Sequence, residues 1–76
     1  MRVSPNPTID HLLVENMENV VRLEVFDLYG RRVSVANTMG DSVTDLNVSQ
    51  FPAGMYLLSG FDRAGVLVGK AKFVKQ

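Results

Sequence analysis

The chain has no cysteine and no tryptophan, one histidine and three prolines among its 76 residues. Without thiols, neither a disulfide nor a thiolate metal site can staple it, and a count of zero says nothing about redox compartment. The lone His11 and a set of serines with no second imidazole leave no base to activate a nucleophile, so no catalytic residue is expected. No stretch approaches the ~18 consecutive apolar residues of a spanning helix, which excludes membrane insertion by that route. The N-terminus likewise lacks the apolar run of an export signal. Asp27, Asp41, Asp45 and Asp62 lack the dense spacing of a dedicated calcium loop, and no glycine opens a helical pattern that could cradle a phosphate. Neither metal nor cofactor is expected. An excess of one charge is also missing, because eight basic residues balance eight acidic ones. That balance argues against a nucleic-acid partner, whose capture rests on neutralising many phosphates.

What is present is a 46% apolar composition, enough for one small core. Residues 1–76 read as a single domain, with a Pro-rich lead-in over 1–8 and a β-sandwich over 9–76, and with marginal stability. Met1 followed at once by this lead-in looks like the start of a piece cut from a longer protein. Charge is unevenly placed. Residues 1–62 carry a net −4, whereas residues 63–76 hold Arg63, Lys70, Lys72 and Lys75 with no acid, a net +4. The C-terminal end is therefore a local cationic feature.

Short apolar runs broken by turn residues every eight to twelve positions give the pattern of an all-β sandwich. Ile9–Glu15 reads as a first strand and Asn16–Asn19 as a polar turn. Val20–Asp27 alternates, with Val21, Leu23 and Val25 facing a core and Arg22 and Glu24 facing water. Arg32–Thr38, a thin Ser42–Val48, a dense Met55–Phe61 expected to be covered on both faces, and Val66–Val74 complete six or seven strands. Three turns end in glycine: Asp27-Leu28-Tyr29-Gly30, Phe51-Pro52-Ala53-Gly54 and Asp62-Arg63-Ala64-Gly65. Each fits a type I turn closed by a left-handed residue, with Asp accepting backbone N–H groups and Gly taking positive φ. Tyr56 should bury its ring and give its hydroxyl to a local acceptor. In the last strand Ala71 and Phe73 should pack inward, leaving Lys70 and Lys72 as an outward stripe.

Four segments in order resemble the type A C-terminal sorting domains of the bacterial type IX secretion system. Pro5-Asn6-Pro7-Thr8 leading into Ile9-Asp10-His11-Leu12 is similar to the family's Pro-Asn-Pro opening. Val25 to Val33, with Gly30-Arg31, resembles its Asp-x-x-Gly-Arg hairpin. Leu46 to Leu58, with Pro52, Gly54 and Tyr56, is similar to its Leu-Pro-Ala-Gly-x-Tyr segment, and Gly69-Lys70-Ala71-Lys72-Phe73-Val74-Lys75 to its basic ending. Phe51 stands in a usual Leu position and Gln76 extends past the last Lys. The resemblance implies an immunoglobulin-like antiparallel sandwich of about seven strands at the end of a secreted cargo protein. It also implies passage through the periplasm and outer membrane to the cell surface, recognition by the type IX translocon, and removal by a surface signal peptidase.

Plainer readings stand beside these. Pro5 and Pro7 lack N–H donors, so the lead-in is a blunted edge that does not pair on that side. Gly30 and Gly54 are turn residues first, Arg31 is an ordinary surface ion-pair residue, and edge lysines protect against aggregation. The mechanistic expectation is that the closing strand offers Lys70, Lys72 and Lys75, with its free backbone edge, to an acidic partner strand. Two other classes remain open. One is an accessory carbohydrate- or protein-binding module built on exposed Tyr29 or Phe61. The other is a structural domain that forms a homodimer through edge strands.

Overall fold

Seven strands and no helix organise the chain in the computed structural model, which describes residues 1–76. They are β1 (Arg2–Ser4), β2 (His11–Glu15), β3 (Arg22–Phe26), β4 (Arg32–Asn37), β5 (Val43–Asn47), β6 (Gly54–Phe61) and β7 (Leu67–Lys75). Two antiparallel sheets result, ordered β1-β2-β5 and β4-β3-β6-β7. In the immunoglobulin-like manner, β2 and β5 face β3 and β6, and the fourth strand joins the larger sheet. The alternation read in the sequence delivers this. Leu12 and Val14 of β2 point at Leu23, Val25, Tyr56, Leu58 and Phe73 of the larger sheet, and these form one buried core with Met17, Val20 and Val48 from the connections.

The two Asp-to-Gly turns are built alike. Gly30 N–H donates to Asp27 C=O (3.1 Å) and Gly65 N–H to Asp62 C=O (3.0 Å), with φ of +80° and +81° at the glycines. In each, the Asp Oδ1 accepts two further backbone N–H groups, from Tyr29 and Arg31 in one turn and from Ala64 and Val66 in the other. The third turn departs from the expected form. Gly54 has a φ of +154° and makes no hydrogen bond to Phe51, so it opens β6 rather than closing a left-handed turn.

Several expectations need correction. The first strand is not Ile9–Glu15: Ile9 is exposed and lies outside β2, while the lead-in itself contributes β1, which pairs with β2 through Val3 opposite Val14. The polar turn at Asn16–Asn19 hides a wholly buried Met17, held between two left-handed asparagines. Glu24 is buried rather than wet, because β4 brings Arg32 to 3.7 Å of its carboxylate while Arg22 lies 2.8 Å away. A carboxylate so enclosed is stabilised by paired charge rather than by water. Nor is β6 covered on both faces. Tyr56, Leu58 and Gly60 are buried, and on the other face Ser59 is buried opposite Glu24, but Leu57 and Phe61 there are only half-buried and Met55 is exposed.

Phe73 is fully buried and its ring lies 5.4 Å from that of Tyr56. Phe73→Ala should cost about 3–5 kcal/mol, comparable with the whole stability of a domain this small. We therefore expect the variant to lose its cooperative urea transition by tryptophan-free near-ultraviolet circular dichroism; an unchanged midpoint would contradict this packing role.

Candidate functional site

The site is best built from β7, the edge strand that closes the larger sheet. Its pairing with β6 sets Tyr56 opposite Phe73, Leu57 opposite Lys72, Leu58 opposite Ala71 and Ser59 opposite Lys70. Side chains alternate across a strand, so Phe73 in the core puts Gly69, Ala71 and Lys75 on the inner side and Lys70 and Lys72 on the outer one. Lys70 and Lys72 are indeed exposed, and neither takes part in an ion pair with this chain's acids. Beside them a groove of about 540 Å³ runs over the outer face, floored by Phe26, Met55, Leu57 and Phe61.

Lys75 does not belong to the outward stripe. It is buried, and its Nζ donates to the C=O of Gln76 at 2.7 Å. Parity is the reason: two residues from Phe73, it shares that residue's inward side. It is not available to fix an acidic partner's register.

The backbone edge of β7 is also only partly free. Val74 N–H donates to Asn6 Oδ1 (2.9 Å), and Asn6 Nδ2 donates to Lys72 C=O (3.2 Å). Thr8 N–H donates to Val74 C=O and Gln76 N–H to Thr8 C=O, each at 2.8 Å, forming a short parallel bridge between Thr8 and Lys75. Thr8 is 1% exposed, and its Oγ1 donates to His11 C=O. The lead-in is therefore stitched to β7, not unpaired as expected from its prolines. Pro5 and Pro7 contribute no N–H, and the Asn6 carboxamide between them supplies the missing donor and acceptor.

The remaining motif residues shape the scaffold. Tyr56 is buried and its hydroxyl donates to Pro52 C=O (2.6 Å), locking the loop that carries Pro52 and Gly54 to the start of β6. Phe51 completes this aromatic row, 5.2 Å from Tyr56. Gly69 and Gly60 face each other across β6 and β7 and together leave a notch for Met1. A Cβ on Gly69 would come within 3.3 Å of the Met1 Cβ, and one on Gly60 within 3.2 Å of its sulfur. Close approach is the usual reason for glycine inside a strand. Gly30 holds its turn, and Arg31 donates from Nε to Asp27 Oδ2 (2.8 Å) while its guanidinium lies 5.5 Å from the Tyr29 ring centre.

Asp27 and Asp62 sit at opposite ends of the larger sheet, since they follow Phe26 and Phe61, which pair with Leu57 and Arg22. Asp45 lies mid-strand beside His11 (3.2 Å). The four aspartates are not brought together. Tyr29 and Phe61 are likewise at opposite ends, and Arg22 lies over the Phe61 ring at 4.6 Å, so no aromatic platform forms for a carbohydrate. The sequence assigns no site role to Thr8, Met1 or Glu24. Their roles depend on long-range register, and no local signal marks them.

These features define an immunoglobulin-like sandwich with a partly open, cationic edge at β7, a shape suited to recognition by another protein. Residues 2–76 match the family described as the secretion system C-terminal sorting domain, and the chain belongs to that family. No curated protein and no solved structure matches it. The domain is thus the C-terminal sorting signal for type IX secretion, a member of a non-catalytic family. It is carried on a cargo protein and recognised by the type IX machinery, which exports the cargo through the outer membrane to the cell surface or the medium.

Burial raises the Asp27 carboxyl's pKa, but the Arg31 backbone N–H, the Arg31 side chain and the Tyr29 N–H outweigh it, and the result lies below the ordinary value of 3.8. With a folded pKa below the unfolded one, the carboxylate's stabilising effect is full above the ordinary value and is lost as pH falls through the lowered one. Asp27→Asn should therefore be less stable than the parent at neutral pH, with the gap closing below about pH 3.8. Urea midpoints across pH 2–7 test this, and a gap that does not change with pH would contradict it.

Proposed function

We propose that the machinery reads this signal along β7. Lys70 and Lys72 would meet carboxylates of an outer-membrane component, while an extended segment of that component adds to the edge through main-chain hydrogen bonds. One observation carries this reading: both ammonium groups stand exposed on an edge strand and no acid of the chain engages either. Tyr56, Pro52, Gly54, Gly30, Arg31 and Gly69 support the reading indirectly, by holding β6, β7 and their turns in place. Pro5, Asn6, Pro7 and Lys75 belong to the stitching of the strand's far end. Residues 1–76 act as one sorting domain, and a surface peptidase removes it on the N-terminal side of β1.

Self-association through this edge is disfavoured by the same charges. A symmetric antiparallel pairing centred on Ala71 sets Lys70 of one copy against Lys72 of the other, and like charges directly opposite destabilise a ladder.

The test is a periplasmically exported reporter fused ahead of residues 1–76 in a host with the type IX apparatus. Lys70→Glu combined with Lys72→Glu should lower surface display at least about tenfold, the equivalent of ~1.4 kcal/mol in recognition. The urea midpoint of the isolated domain should stay within about 0.5 kcal/mol of the parent's, as for exposed surface changes. Undiminished display, or display lost only in step with folding, would count against the proposal.

A further inference from the structure

The outward main-chain groups of β7 form a row interrupted by the chain's own lead-in. Val74 turns its N–H and C=O away from β6, as its bonds to Asn6 and Thr8 show. In an antiparallel pair such outward residues recur every second position, so Lys72 and Lys70 also direct their main chain outward. Reading along the row, the N–H and C=O of Lys70 and the N–H of Lys72 are open. The next two groups, Lys72 C=O and Val74 N–H, are taken by the two ends of the Asn6 carboxamide. Beyond these, Val74 C=O and Gln76 N–H are held by Thr8.

The Asn6 and Thr8 contacts are in register. Thr8 bridges the groups on either side of Lys75, and Asn6 bridges those on either side of Phe73, a step of two residues on each chain. That is the hydrogen-bond pattern of a parallel ladder, with the Asn6 side chain standing where a strand's main chain would stand. The two anchors differ in hold. Thr8 is buried and hooked to His11, whereas Asn6 is exposed and makes no other side-chain hydrogen bond.

We infer that Asn6 is a placeholder on the recognition edge: its carboxamide occupies the ladder position that the peptide group of an incoming extended segment takes over on binding. The partner it fits is an extended strand with carboxylates spaced to meet Lys70 and Lys72. Exchange adds two groups, Lys72 C=O and Val74 N–H, to the open row, and Thr8 stays fixed as its end stop. Pro5, Asn6 and Pro7 are all exposed, so the carboxamide can leave the edge for water without displacing a buried group of its own segment. This rests on the reading of β7 as the recognised edge and adds a competitor to it.

The experiment compares Asn6→Ala with the parent in two measurements. In amide hydrogen exchange on the isolated 76-residue domain, Val74 should exchange at least about tenfold faster in the variant while Phe73, bonded toward β6, is unchanged. The same variant on the exported reporter should reach the surface at least about twofold faster than the parent, because the edge no longer carries its cover. An unchanged Val74 rate would overturn the placeholder role, as would surface arrival that is equal or slower. Failure of the Lys70 and Lys72 double substitution to affect export sinks the edge reading separately, and leaves the Val74 exchange result to be judged alone.

Discussion

Phe73, seated against Tyr56 in the middle of the core, sets the phase of the last strand, and most of what distinguishes this sandwich follows from that phase. Because side chains alternate with a period of two, a single buried aromatic decides the side for every residue from Gly69 to Lys75. Ala71 and Gly69 come inward, and the missing side chains of Gly69 and of Gly60 opposite it leave room for Met1. Lys70 and Lys72 go outward, over an apolar groove and beside an unfilled stretch of backbone. A slip of one residue would bury two ammonium groups and expose the ring, an exchange no small core could tolerate.

The opposite end of the chain completes the same strand. β1 pairs with β2 in one sheet, and the next few residues cross to β7 in the other. The lead-in therefore bridges both layers and closes that side of the sandwich. Edge strands invite unwanted pairing, and natural proteins blunt them with proline, lysine and covering loops. All three devices meet on β7: Pro5 and Pro7 in the cover, Lys70 and Lys72 on the strand, and Asn6 plugging part of the main chain. A signal that is to be read by a partner without pairing indiscriminately needs an edge that is guarded but not sealed. Leaving the main chain of Lys70 and the N–H of Lys72 open beside Asn6 meets both needs.

Legibility in the sequence tracked the range of the interaction. The all-β sandwich, the Asp27 and Asp62 turns and the parity of Lys70 and Lys72 rest on neighbours within a few residues, and each can be read from local spacing. Gly54 departed because Pro-Ala-Gly resembles the other turns in composition but lacks their Asp, whose carboxylate accepts the turn's N–H groups at Asp27 and Asp62, and Gly54 opens β6 instead. Glu24 looked solvent-facing because its partner Arg32 arrives from another strand. Asn6 was marked by the family motif, but its job spans 66 and 68 residues of sequence, beyond any local pattern. Lys75 is the instructive miss: the parity rule already placed it with Phe73, and its positive charge alone suggested contact with an acidic partner.

The central claim is that the translocon meets this domain at β7 and not at β4, the other edge of the same sheet. The two edges offer matched probes in Val68 and Val35, which are 48% and 46% exposed. A photo-crosslinking residue placed at each position in turn, on a reporter caught during export, reads the contact directly. The account predicts adducts with outer-membrane components from position 68 and none from position 35. Adducts from position 35 with none from position 68 would contradict it.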